Sequence, residues 1–293
     1  MRRKIQIVSV KFGDLGHPTG TLRMINDEAG NIDYEECGHG QTIVLVPGSC
    51  STGAAWNPVV AAFHGQYHCV TTSLLGYGAT AERRTSQDAS ILHEVDVIER
   101  VLRQAGSPVH LVGHSFGGLV ALAVALRGHA PLASLTILEA PAAEILRACG
   151  EEQHYRAFRQ MTDAYFADFE GNNKEAIAAM IDFYGGVGTF ASWPPRVRAY
   201  AIETTAVNIL DWKSAYGFPL QPTDLGAVNL PTLISYGSMS HPAARRANFL
   251  LGEFMDPADV VPINGAAHFM IATHAKEVGR LIVEHIGRSG NSC

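Results

Sequence analysis

The chain predicts an α/β protein with a mostly parallel central sheet flanked by helices, and three observations carry that reading. Segments of strand and helix character alternate through the first half, in the β-α-β order that sets strands side by side with helices over both faces. The run QTIVLVPG (41–48) is continuously apolar and stops at Pro-Gly, as a strand buried on both faces should. From Asp88 to Ala105 the apolar Ile91, Val95, Ile98 and Leu102 recur among charged residues, the spacing of an amphipathic helix that covers such a sheet.

The remaining elements follow in order. The runs IQIVSV (5–10), TLRMIN (21–26) and IDYEEC (32–37) read as short antiparallel strands. AAWNPVVAAF (54–63) has helical spacing, and YHCVTTSLLG (67–76) returns to strand composition. PVHLVGHS (108–115) predicts a strand, LVALAVALRG (119–128) a helix and LASLTILEAP (132–141) a strand. From Ala142 to about Leu225 the stretches EEQHYRAFRQMTDAYF, NKEAIAAMIDFY and RVRAYAIETTAVNILDW are helical, with GGVGTFASWPP (185–195) as a loop between them. Strand character resumes at LPTLISYG (230–237) and ADVVPING (258–265), and KEVGRLIVEHIG (276–287) is an amphipathic helix. The expected organisation is a core of residues 1–141 and 226–293, interrupted by a helical cap at 142–225.

Composition narrows the class. The 293 residues are 47% hydrophobic and 17% charged, which fits a globular protein with a well-buried core. Lys and Arg number 22 against 28 Asp and Glu, a formal charge of −6, so neither nucleic acid nor an anionic membrane is an expected partner. The opening MRRKIQIVSV breaks at Lys11 and Asp14, too early for a secretion signal, and reads as a strand. No apolar run is long enough to insert in a bilayer. The five cysteines are scattered without a CxxC pair, which suits reduced thiols in a cytoplasmic protein rather than disulfides or zinc.

The chemistry is concentrated in LVGHSFGGLV (111–120). It holds G-x-S-x-G as Gly113-His114-Ser115-Phe116-Gly117, between a predicted strand and a predicted helix. A serine hydroxyl is a poor nucleophile unless a base and a carbonyl meet it together, and a sharp strand-to-helix turn arranges that meeting. A serine that merely caps the helix is the plainer alternative. With GHSFGG, the stretches IVLVPGSCSTGAAWNPV (43–59), LLGYGAT (74–80) and INGAAHFMIATHAKEV (263–278) resemble the α/β-hydrolase fold superfamily, in its capped, serine-dependent and esterase-like form, across nearly the whole chain. The resemblance implies acyl-type chemistry at the carboxyl ends of the strands, beneath the cap.

On that resemblance the base is a late histidine beyond the last strand, which makes His268 of Gly265-Ala266-Ala267-His268 the candidate; a buried structural histidine is the other reading. His114 stands beside Ser115 in sequence, but adjacent side chains at such a turn diverge, so it is assigned to packing. The oxyanion donors implied are the backbone N–H groups of Phe116 and, after strand QTIVLV, of Ser49 in Pro47-Gly48-Ser49, where the superfamily's histidine is replaced by proline. Cys50 either lines the pocket or packs as a small hydrophobe. Trp193, with Phe183, Tyr184 and Phe190, forms either an apolar mouth or the cap's own core. Cys50, Trp193 and Phe269 are the candidate substrate-binding residues.

The acid is displaced. Many superfamily members carry an aspartate after the strand equivalent to TLISYG, whereas this turn reads Gly237-Ser238-Met239-Ser240-His241 and the expected position falls on Ser240. Glu139, at the strand end within SLTILEAPA (134–142), is the candidate replacement, since some members supply the acid from this strand end and a buried charge needs a partner. A structural Glu139, with Ser240 orienting a Ser-His dyad, is the alternative.

Other patterns are set aside. His93-Glu94 opens like HExxH, but Val97 denies a second ligand, so no metal is expected. No G-x-G-x-x-G opens a helix after the first strand, so no dinucleotide cofactor is expected either. A serine in the nucleophile position excludes dehalogenase and epoxide-hydrolase chemistry, which needs a carboxylate. The expected function is cleavage of a small-to-medium, partly hydrophobic carboxylic ester through an acyl-enzyme, without cofactor, on a small-molecule substrate. Lactone, amide or carbon–carbon cleavage, acyl transfer, and ligand binding without turnover stay open, and a homo-oligomer is compatible with the sequence.

Overall fold

The computed structural model describes residues 21–27 and 30–289. An eight-stranded sheet runs in the order β1-β2-β4-β3-β5-β6-β7-β8. Its strands are β1 (Thr21–Asp27), β2 (Gly30–Cys37), β3 (Thr42–Val46), β4 (His68–Thr72), β5 (Val109–His114), β6 (Leu132–Leu138), β7 (Thr232–Gly237) and β8 (Ala258–Ile263). β1 pairs antiparallel with β2, and β2 with β4, while every pair from β4 to β8 is parallel. The fold class expected from the sequence is the one formed; the strand expected at 5–10 lies outside the described residues.

The strands alternate their side chains between two cores. Val44 and Val46 of β3 enter one apolar cluster, with the helices Leu92–Ala105, Phe116–Arg127 and Pro242–Phe254. Ile43 and Leu45 enter the other, with the helices Asn57–Ala62 and Ala275–Ser289. Because both faces are covered, the parallel strands carry the near-continuous apolar runs seen in the sequence. The Phe116–Arg127 helix is buried from Phe116 through Val124, which explains why LVALAVAL has no polar stripe.

Chain order reverses direction at β3: β4 lies on one side of it and β5 on the other. Loops leaving the carboxyl ends of β3 and β5 therefore diverge and open a crevice, the place where open α/β sheets bind ligands. Val46 and Gly113 are register partners, so the β3 loop and the β5 turn start side by side.

Helices alone occupy the described chain between β6 and β7, principally Glu152–Glu170, Ile177–Gly185, Pro195–Glu203 and Thr205–Tyr216. The stretch expected as one helix, RVRAYAIETTAVNILDW, is two, broken at Thr204, whose hydroxyl turns back to the Tyr200 carbonyl. A short helix, Thr189–Ser192, sits inside the segment expected as loop. The helix expected from Asp88 begins at Leu92, because Asp88 and Ser90 use their side chains to accept from the backbone N–H groups of Ser90 and Leu92. Pro242–Phe254 was not expected, although Pro242 at its first turn and the buried Ala243, Ala244, Ala247, Leu250 and Leu251 mark one face of a helix. Among the described residues no helix is long and apolar enough to cross a membrane.

Candidate active site

Ser115 directly follows β5 and caps the Phe116–Arg127 helix with φ 53° and ψ −128°, a strained conformation for a residue with a side chain. The turn is possible only because its neighbours lack one. A Cβ on Gly113 would lie 2.2 Å from the Gly117 carbonyl oxygen, and one on Gly117 would lie 2.2 Å from that of Pro47. Helix, strand and β3 loop thus close on the serine from three sides. The Ser115 N–H donates to the Leu138 carbonyl at 2.8 Å, tying the turn to β6.

His268 follows β8 and meets that serine. Its Nε2 is 2.9 Å from Ser115 Oγ, and its Nδ1 is 2.8 Å from Glu139 Oε1. A carboxylate only accepts, so Nδ1 carries the proton and Nε2 is left to accept from the serine hydroxyl. Tyr184 lies over the imidazole with ring centroids 4.0 Å apart, and Phe269 meets it edge-on at 5.3 Å. His114 packs behind, and its Nε2–H donates to the His268 carbonyl at 2.8 Å. Burial, with the nearby His268 adding to it, pushes His114 down to about 3, so it stays neutral. His114 lies 4.9 Å from the His268 ring, centroid to centroid, and supports the loop that carries it.

Glu139 leaves β6 with φ 48° and is fully buried. Beyond His268, its other oxygen Oε2 accepts from the Gly237 N–H at 2.9 Å and from the Ser240 hydroxyl at 2.6 Å. The carboxylate is therefore surrounded by donors, as a buried charge must be. Ser240 does not touch His268 in its place; it braces Glu139.

The β3 loop brings Ser49 and Cys50 to the same crevice. Among the described residues no acceptor takes the N–H of Ser49 or of Phe116. A cavity of about 40 Å³ opens over Ser115 and His268. Cys50, Trp193 and Phe269 all line it, and so does Tyr184, whereas Phe190 is buried in the core and Phe183 stacks on His241 at 4.0 Å. Burial, then the charge of Asp211, pushes the Cys50 thiol up to about 12, so it remains a neutral thiol.

The helical block contributes wall residues that sequence reasoning missed: Met180, Ile181, Asn208, Asp211 and Trp212. Asp211 is the least expected, a carboxylate at the cavity on the buried side of the Thr205–Tyr216 helix. Its Oδ2 accepts from Ser49 Oγ at 2.5 Å and from the Tyr77 hydroxyl at 2.6 Å, and its Oδ1 from Arg84 Nη1 at 2.7 Å. The Arg84 side chain has no exposure, and it also pairs with Glu82 at 2.8 Å and Glu94 at 3.3 Å. Burial raises Glu94 to about 8 against the opposing pull of Arg84, and burial likewise raises Asp211. The only sequence signal was a charged residue set between Leu210 and Trp212. Among the described residues no group of acidic, histidine and cysteine side chains is arranged to hold a metal ion.

A carboxyl-edge site of this kind, on a sheet of this order, defines a hydrolase of the α/β class. The chain belongs to the alpha/beta hydrolase family, whose model matches residues 43–281. A pimeloyl-[acyl-carrier protein] methyl ester esterase from Aliivibrio salmonicida is 32% identical over 96 residues, 33% of this chain and 34% of that one. An (E)-2-((N-methylformamido)methylene)succinate hydrolase from Acinetobacter baylyi is 31% identical over 107 residues, 36% of this chain and 39% of the other. The chain thus aligns with little more than a third of the length of these curated relatives. Among solved structures, MenH from S. aureus superposes with a TM-score of 0.72 at 17% identity, over 89% of this chain and 99% of that one, which is a likeness of fold.

Proposed function

We propose that the protein is a serine hydrolase that cleaves small carboxylic esters through an acyl-enzyme, with Ser115, His268 and Glu139 as its catalytic triad. The observation that carries this reading is the unbroken relay from Ser115 Oγ to His268 at 2.9 Å and on to Glu139 at 2.8 Å, on the floor of the cavity. Ser115 Oγ bonds to the ester carbonyl carbon while its proton passes to His268 Nε2, and Glu139 stabilises the imidazolium that results. The N–H groups of Ser49 and Phe116 receive the oxyanion. The bond to the alcohol oxygen then breaks as His268 delivers the proton to it. Water repeats the sequence in reverse: His268 takes its proton, hydroxide adds to the acyl carbon, and the acid leaves as Ser115 is reprotonated.

Residues 142–225 act as the cap, supported by the wall they give the cavity. The cavity has room for only a few water-sized groups at about 40 Å³, which favours a short acyl chain. No Lys or Arg is among its described lining residues, so nothing there would neutralise a carboxylate-bearing acyl group. An uncharged, largely apolar acyl group fits. No cofactor enters this chemistry, and the scattered cysteines favour a cytoplasmic setting.

The test is the hydrolysis of p-nitrophenyl esters of graded acyl length by the parent and by Ser115→Ala. Burst release of nitrophenol, fastest with acetyl and butyryl esters and abolished in Ser115→Ala, is the expected result. Equal release by both proteins overturns the reading.

A further inference from the structure

We propose that Asp211 is a positioning residue that aims the second oxyanion donor, so that the oxyanion hole is complete only while the helical block is seated on the core. The inference rests on the esterase reading and adds a component to it. The Gly48–Ser49 peptide unit supplies the Ser49 N–H, and two hydroxyls fix it from opposite ends. Ser51 Oγ donates to the Gly48 carbonyl at 2.7 Å, and Ser49 Oγ donates to Asp211 Oδ2 at 2.5 Å. In a trans peptide the N–H points opposite the C=O, so pinning the carbonyl and the Ser49 side chain pins the direction of the N–H. The next residue, Cys50, has φ 56°, a bend that needs holding in place.

Asp211 is itself held firmly. Tyr77 and Arg84, both buried in the core, donate to it at 2.6 and 2.7 Å. A bare carboxylate beside a developing oxyanion would oppose the reaction, and Arg84 offsets that charge. Asp211 belongs to the helix Thr205–Tyr216 and Ser49 to the β3 loop, which lie 162 positions apart in the chain. One hydrogen bond therefore joins the position of the block to the geometry of the catalytic loop.

Ser49→Ala provides the cleanest test, because it keeps the Ser49 N–H and leaves Asp211 its bonds to Tyr77 and Arg84. For p-nitrophenyl acetate we expect kcat to fall about ten- to hundredfold with KM within about twofold of the parent. Affinity for a short alkylboronic acid, which mimics the tetrahedral intermediate on Ser115, should fall by a similar factor, while affinity for acetate, the product, is unchanged. Both affinities are read on one sample, so their ratio is insensitive to any unfolded fraction. Ser49→Thr, which keeps the hydroxyl, should restore most of the loss, and Asp211→Asn should reproduce it. Parent values of kcat and of the boronate-to-acetate ratio in Ser49→Ala would overturn the proposal. Failure of the esterase reading looks different: Ser115→Ala would then remain as active as the parent.

Discussion

Ser240 stands where an acid is expected after β7, and its hydroxyl donates to Glu139 Oε2 across 2.6 Å. The position left without an acid and the buried carboxylate of Glu139 are therefore in contact. The serine spends its one proton on the carboxylate proposed as the triad acid. The Gly237 N–H, at 2.9 Å from the same oxygen, completes the arrangement and leaves Oε1 to His268.

That contact sets a graded expectation for mutants. Glu139→Gln should lower kcat on the order of a hundredfold or more, because an amide cannot stabilise the imidazolium. Ser240→Ala should cost about three- to tenfold, since Glu139 keeps its Gly237 donor. The double variant Glu139→Ala with Ser240→Asp should recover part of the loss, by returning a carboxylate to the other seat. Steady-state kcat on p-nitrophenyl acetate checks all three, and a larger loss in Ser240→Ala than in Glu139→Gln would reverse the assignment.

Arg84 should matter more to stability than its distance from the reacting atoms suggests. Its fully buried guanidinium pairs with Asp211 and Glu82, so Arg84→Met leaves two carboxylates without their cation. Breaking a buried pair by removing one partner costs about 3–5 kcal/mol. Urea unfolding of the variant should show a loss of that size, and a loss under about 1 kcal/mol would mean that water reaches the cluster.

Stability should also fall as pH rises through the neutral range. In the folded state Glu94 keeps its proton up to about pH 8, whereas the unfolded chain releases it near its ordinary 4.5. The native state thus binds the extra proton between those values, and the stability this group contributes is lost as pH climbs from one to the other. Glu94→Gln should flatten that dependence, so that melting temperatures of variant and parent diverge by a few degrees (~2–4 °C per kcal/mol at this size) between pH 5 and pH 8. Parallel curves would refute the assignment.

Two glycines should separate close approach from backbone freedom. Gly117→Ala meets the Pro47 carbonyl at 2.2 Å and should destabilise far beyond the ~1 kcal/mol of an average point mutation. Gly65→Ala has open space around it but φ +73°, so only the cost of the left-handed region applies, about 1–2 kcal/mol. Chemical denaturation of both variants tests the ranking.

The sequence was legible where the chemistry is local. Ser115 announces itself because strand, turn glycines and helix are contiguous, and His268 because it lies just past the last strand. Glu139 was legible by subtraction, from an apolar strand that ends in a charge while the usual turn offers none. Asp211 was not. Its partners Arg84, Tyr77 and Ser49 lie 127, 134 and 162 positions away, and only tertiary packing brings them together. The helix Pro242–Phe254 carries a readable apolar face, directly after the turn that lacks an acid.

The placement of Glu139 has a consequence for how the molecule can be recombined. The residue directly follows β6, and Pro141, two positions on, already lines the cavity, just before the first helix of the block at Ala143. The proposed proton relay and the proposed lid are thus consecutive stretches of one thread rather than separable modules. A chimera that exchanges lids must keep its upstream junction beyond Pro141 and carry an aspartate at 211, or it will inherit a new roof over a mis-set engine.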